Sequence, residues 1–154
     1  MSMLSNYQRI LVAVDGSENS DLAFKHAVEV AKRNHASLHV LQVINDQAGS
    51  YSPFAYSDII KEEEEAAEKE MDKYLDYGHA HQLEDIVPII RLGNPKTSIA
   101  KFVAEQYDIQ LLIIGATGKG VVNRMIIGST TSYVVQHAVC NVLVVKNPEN
   151  KGVE

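Results

Sequence analysis

Gly115, Gly118 and Gly120, with Lys119 between the last two, could bring an anion against bare main chain. Nine residues separate Gly118 from Gly128, which opens onto a run of hydroxyls, Ser129, Thr130, Thr131 and Ser132. Glycines can take φ > 0 and let a ligand approach the backbone closely. Successive N–H groups in such a loop converge on one spot and form an anion-binding concavity. A pattern of helical spacing, Thr131, Val134, Val135 and Ala138, begins inside the hydroxyl run. Residues 129 to 131 would therefore add the unpaired N–H groups and the positive dipole end of a helix start. Lys119 would supply a mobile positive charge at the mouth. The chemistry these residues suit is phosphate binding.

Two familiar glycine patterns do not fit. A Walker A loop built on Gly118-Lys119 needs Gly at 113 and Ser or Thr at 120, where the chain has Ile113 and Gly120. A dinucleotide GxGxxG begun at Gly118 fails at Asn123, and it belongs after a first strand rather than a late one. What stands is G-x2-G-x9-G-S, running from Gly115 to Ser129.

The elements that must position this loop follow from periodicity. Ile10 to Val14 is a continuous apolar run, as expected of a parallel strand covered on both faces, with Leu11, Ala13 and Asp15 sharing one side. A helix follows Asp15-Gly16-Ser17, capped among Ser17, Asn19 and Ser20, with Phe24, Ala27, Val28 and Ala31 as its buried stripe. Ser37 to Ile44 reads as the second strand. A polar and aromatic loop, Asn45 to Ser57, then leads to a long helix capped by Ser57 and reaching about Tyr77. Its buried side would carry Ile60, Ala67, Met71, Tyr74 and Leu75, leaving the Lys61–Glu65 run as a solvated face. Asp85 to Leu92 is a third strand, and Pro88 within it suits a sheet edge. Asn94 caps the next helix with Pro95 at its first position, and Ile99, Phe102 and Val103 form its stripe. Leu111 to Ile114 is the fourth strand and Asn141 to Lys146 the fifth. Strands and helices alternating five times indicate a doubly wound α/β fold with a parallel sheet, in which ligands sit beyond the strands' carboxyl ends. Asp15 and Gly115 both stand at such ends.

The 154 residues read as a single domain, with an ordered core of about 8–147. Fourteen basic against 20 acidic residues give a net charge of −6, which argues against a nucleic-acid or anionic-membrane partner. The single Cys140 excludes an internal disulfide and suits a reducing cytoplasm. No apolar run approaches membrane-spanning length.

Other candidates carry two readings each. Asp15 before Gly16 is a common turn former, yet a carboxylate at that mouth could also accept from a ribose. Beside the glycine loop the ligand contact is favoured. Arg124 could reach a phosphate or pair with a surface acid. His79 and His81 lack a second pair at ligand spacing and read as solvent-exposed loop residues rather than metal ligands. His137 with Cys140 reads as helix-end packing and a buried thiol rather than a Cys–His pair.

The glycine signature, together with RILVAVDGS at Arg9–Ser17 and VLVVK at Val142–Lys146, resembles the universal stress protein family, specifically its ATP-binding branch. The resemblance implies a five-stranded parallel sheet of order 3-2-1-4-5. It places ATP contacts at Ala13 and Asp15, at Val43 beside the adenine, and at Gly115, Ala116, Thr117, Gly118, Lys119, Gly120 and Val121. Gly128, Ser129, Thr130 and Thr131 form the second phosphate segment. It also implies a homodimeric stress-response module joined through the last strand, Val142 to Val145. Two departures stand out: Ala13 occupies a position where several relatives carry Pro, and Val139-Cys140-Asn141 replaces a Pro-containing approach to the last strand. Any Mg²⁺ or Mn²⁺ is expected to be held mainly by the phosphates. The rival class is an enzyme with slow ATP hydrolysis or adenylate-forming chemistry. No His or Glu near the loop is placed as a general base. A flavodoxin-like FMN carrier would need its phosphate loop after the first strand, where this chain is acidic.

Overall fold

A computed structural model describes residues 6–46, 51–117 and 127–148. Gly118, Lys119, Gly120, Val121 and Arg124 lie outside the described residues. Five parallel strands form one sheet: β1 (Arg9–Val14), β2 (Ser37–Asn45), β3 (Ile86–Gly93), β4 (Leu111–Gly115) and β5 (Asn141–Val145). Their spatial order is β3-β2-β1-β4-β5. Helices α1 (Glu18–Asn34) and α2 (Pro53–Ala80) cover one face. The other face is covered by a segmented helix and by α5 (Ser129–His137). The segmented helix comprises α3 (Pro95–Thr97), a π-helical turn (Ser98–Phe102) and α4 (Val103–Gln106).

The alternation in β1 explains the two-sided core. Ile10, Val12 and Val14 enter the cluster with Phe24, Ala27, Val28 and Ala31 of α1, while Leu11 and Ala13 enter the one with Ile99, Val103 and Val134. β1 lies at the centre of the sheet, covered on both faces, and is apolar throughout its inner length. Because β2 lies on one side of β1 and β4 on the other, the chain diverges at the carboxyl ends of β1 and β4 and leaves a crevice there. Pro88 falls on β3, an edge strand, where a missing N–H costs no ladder bond.

Four expectations need correction. The long helix is capped by Ser52, whose hydroxyl accepts from the Ala55 N–H at 3.3 Å, and not by Ser57; Pro53 takes its first position, so this proline starts a helix. The helix also runs on to Ala80. Phe102 is 45% exposed because the π turn, in which Val103 donates to the Ser98 carbonyl, inserts an extra residue and rotates the ring outward onto Arg91, 5.3 Å away. Val135 is 52% exposed, since α5 buries only the narrow stripe of Thr131 and Val134.

Candidate functional site

At the end of β1 the chain turns sharply. The Asp15 N–H donates to Ser20 Oγ at 3.1 Å, and Asp15 Oδ1 accepts from the Ser17 N–H at 2.9 Å. Gly16 takes φ +81°, a left-handed conformation that most side chains resist. Ser17 then caps α1, accepting from the Ser20 N–H at 3.2 Å. Asp15 is thus the turn former that its sequence context suggests, and it also lines the crevice described below.

Beyond β4 the backbone is held from several sides. The Ala116 N–H donates to the Val145 carbonyl at 2.9 Å, and the Gly128 N–H donates to the Ala116 carbonyl at 2.8 Å. The buried Thr131 hydroxyl donates to the Gly115 carbonyl at 2.7 Å. The described chain on either side of residues 118–126 is thus joined by the Gly128–Ala116 bond. Gly115 is not in the left-handed region, contrary to the expectation that its φ freedom matters. Its requirement is close approach: a Cβ there would stand 2.9 Å from the Asn19 carbonyl oxygen in the first turn of α1.

The start of α5 completes the wall. Gly128 occupies the N-cap in an extended conformation, and no side chain caps the helix. Its first internal bond runs from the Ser132 N–H to the Gly128 carbonyl. The N–H groups of Ser129, Thr130 and Thr131 thus precede the helical ladder.

These parts enclose a cavity of about 510 Å³. Of the residues expected to bind, Ala13, Asp15, Val43, Gly115, Thr117, Gly128, Ser129, Thr130 and Thr131 line it. Ala116 does not; it is buried, and both its backbone groups are spent on Val145 and Gly128. The remaining four, Gly118 to Val121, lie outside the described residues. The cavity also draws on Ser20, Asn45, Pro95 and Ile99, which sequence reasoning did not assign to the site. Asn45 ends β2, and Ser20, Pro95 and Ile99 follow β1 and β3 within six residues; that placement was the available signal. Asp15 is the only ionisable side chain among the described lining residues.

The competing candidates have local explanations. His79 sits in the last turn of α2 and not in a loop. His81 is half-buried, its ring stacked 3.9 Å from Tyr77 and its Nδ1 2.8 Å from the Tyr77 carbonyl. His137 stacks on Tyr133 and places Nδ1 3.0 Å from that residue's carbonyl. Burial pushes the Cys140 thiol up, away from the reactive thiolate. Among the described residues no group of three His, Cys, Asp or Glu could hold a metal. The Lys61–Glu65 run is exposed throughout, a solvated helix face.

A family model described as the universal stress protein family matches residues 6–146. The chain belongs to that family. A universal stress protein of Staphylococcus aureus is 34% identical over 143 residues, covering 93% of this chain and 86% of the relative. The universal stress protein UspA from Lactobacillus plantarum superposes with a TM-score of 0.85 at 34% identity, over 92% of this chain and 99% of that one. A universal stress protein crystallised in complex with cAMP shares the fold, with a TM-score of 0.72 at 23% identity over 92% and 98% of the two chains. The family's sheet order, 3-2-1-4-5, is the order found here. In the described residues no helix is long and apolar enough to cross a membrane.

Proposed function

We propose that this universal stress protein binds ATP in the cleft between β1, β4 and the start of α5, and acts as a cytoplasmic regulatory or sensing module. The observation that carries this reading is the convergence of strand ends, Asp15 and an uncapped helix N-terminus on one cavity of about 510 Å³, within the size range of small-molecule sites. The adenine would lie between Ala13 and Val43 and be read by backbone groups. The ribose would face Asp15. The phosphates would meet the N–H groups of Ser129 to Thr131 and the glycine loop, with Lys119 at its mouth.

Mg²⁺ or Mn²⁺ would be held mainly by the phosphates, since Asp15 is the only carboxylate among the described lining residues. The same poverty of ionisable groups favours a binding module over an enzyme, because Asp15 is committed to the turn at the ribose end. Mass spectrometry of the purified protein should find co-purifying ATP. Asp15→Ala should cost about 1–3 kcal/mol if the carboxylate bonds the ribose, or roughly 5- to 150-fold in ATP affinity. An unchanged dissociation constant would remove Asp15 from the site.

β5 supports assembly into a dimer. Among the described residues it is an edge strand whose outer side pairs with no other strand, and Leu143 on it is 39% exposed. An apolar edge of this kind is a template for pairing, and pairing with its own copy would cover both edges isologously. A homodimer through Val142 to Val145 is expected. Light scattering at micromolar concentration should give twice the chain mass, and a monomer there would refute it.

A further inference from the structure

We propose that residues 107–110 form a strap that stays closed over His39 only while that histidine is uncharged, so that mild acid opens this end of the sheet. The proposal stands apart from the nucleotide reading above. His39 lies on β2, with β1 on one side and β3 on the other, in register with Leu11 and Val87. It is 7% exposed, and the Tyr107 ring lies against it with centroids 5.1 Å apart. Its Nδ1 is buried and has no partner among the described residues. Enclosure of the whole side chain is what makes charging it costly, and enclosure does not depend on which way the ring is turned.

The strap joins α4 to β4 and is fastened at few points. The Ile109 N–H donates to the Ala104 carbonyl at 2.9 Å, and the Gln110 N–H to the Arg9 carbonyl at 3.0 Å. Arg9 clasps it from β1: its Nε donates to the Asp108 carbonyl at 2.8 Å, and its guanidinium pairs with the Asp108 carboxylate at 3.1 Å. Asp108 takes φ +53°, a left-handed conformation that a residue with a side chain adopts at a cost. Exposed fastenings around a strained residue are the features of a segment that opens locally.

The charges on the surrounding elements do not offset the burial. Burial holds the ring's pKa below the ordinary histidine value. The Ile10 carbonyl on β1 and Asp85 ahead of β3 favour the charged ring, while Arg9 opposes it. The strap itself offers the Tyr107 ring and an Asp108 carboxylate already paired with Arg9.

The sign of the effect follows from linkage. With the strap open, the ring meets water and takes a proton below about pH 6.5. With it closed, the same proton binds only at lower pH. The stability of the closed strap is therefore complete above the open-state value and is shed as the pH falls from there through the closed-state value. From about pH 7.5 to pH 5, one such group raises the open fraction by at most roughly 30-fold.

The test is amide hydrogen exchange at those two pH values, corrected for intrinsic rates, on wild type, His39→Phe and His39→Leu, beside an NMR titration of the wild-type His39 ring. Phenylalanine keeps a ring against Tyr107 and removes the proton site; leucine serves where phenylalanine does not fit. In wild type, protection of the Ile109 and Gln110 amides should fall about 5- to 30-fold at the lower pH, and in the variants less than about twofold. The native ring should titrate below the ordinary histidine value. A ring that titrates at or above that value would overturn the proposal. So would strap amides that keep their full protection at the lower pH, or an acid response that survives both substitutions. The ring titration and the wild-type amides decide the matter even if neither variant folds.

Discussion

Gly118→Val is expected to abolish measurable ATP binding while leaving the chain folded. Gly118 follows Thr117, two residues past the end of β4, and it is the second glycine of the G-x2-G-x9-G-S signature. Its position lies outside the described residues, so the expectation rests on the loop's anchors and on glycine chemistry. The two ends of the loop are joined at Ala116 and Gly128, beside the uncapped start of α5. A β-branched side chain between the phosphates and the loop amides would block the approach and resist φ > 0. Backbone donors cannot be deleted by truncation, so added bulk is the informative change. Titration with ATP beside a thermal melt checks it: wild-type affinity in the variant would show that this loop does not hold the phosphates.

Gly115→Ala should act on stability instead. The new methyl would stand 2.9 Å from the Asn19 carbonyl oxygen and 3.1 Å from its carbon, both backbone atoms of a capped helix that cannot swing aside as a side-chain tip can. Overpacking of this kind costs about 1–3 kcal/mol, which corresponds to a fall in melting temperature of roughly 2–12 °C for a chain of this size. The relief motion would push the first turn of α1 away from β4. Asp15 is held by that turn, so ATP affinity should fall as well. A melting temperature within a degree of wild type would mean that the close approach at Gly115 relaxes without cost.

Much of this architecture was legible because local signals agreed with the global fold. The apolar run at Ile10–Val14, the Ser17 cap, the Asn94-Pro95 start and the edge proline Pro88 each state their place in short-range chemistry. Strand order did not come from pattern; it came with the family resemblance, since periodicity says nothing about which strands are neighbours. The misread positions were those decided at longer range or by an irregular turn. Ser52-Pro53 resembled a loop until the helix behind it was seen to begin there. Phe102 kept a helical spacing that the π turn broke. Ser20, Asn45, Pro95 and Ile99 carry no charge to attract notice, and topology alone delivers them to the cleft. The contact between Asn19 and Thr117 joins residues 98 positions apart, beyond any local rule.

The reading of a nucleotide cleft with an adenine side and a phosphate side is most directly tested by calorimetric titration of the wild-type protein, with Mg²⁺, using ATP and GTP in parallel. One saturable site per chain for ATP, with GTP at least about tenfold weaker because strand-end backbone groups near Ala13 and Val43 would read the adenine edge, is the expected result. Folded, nucleotide-free protein that takes up no ATP at millimolar concentration would contradict it.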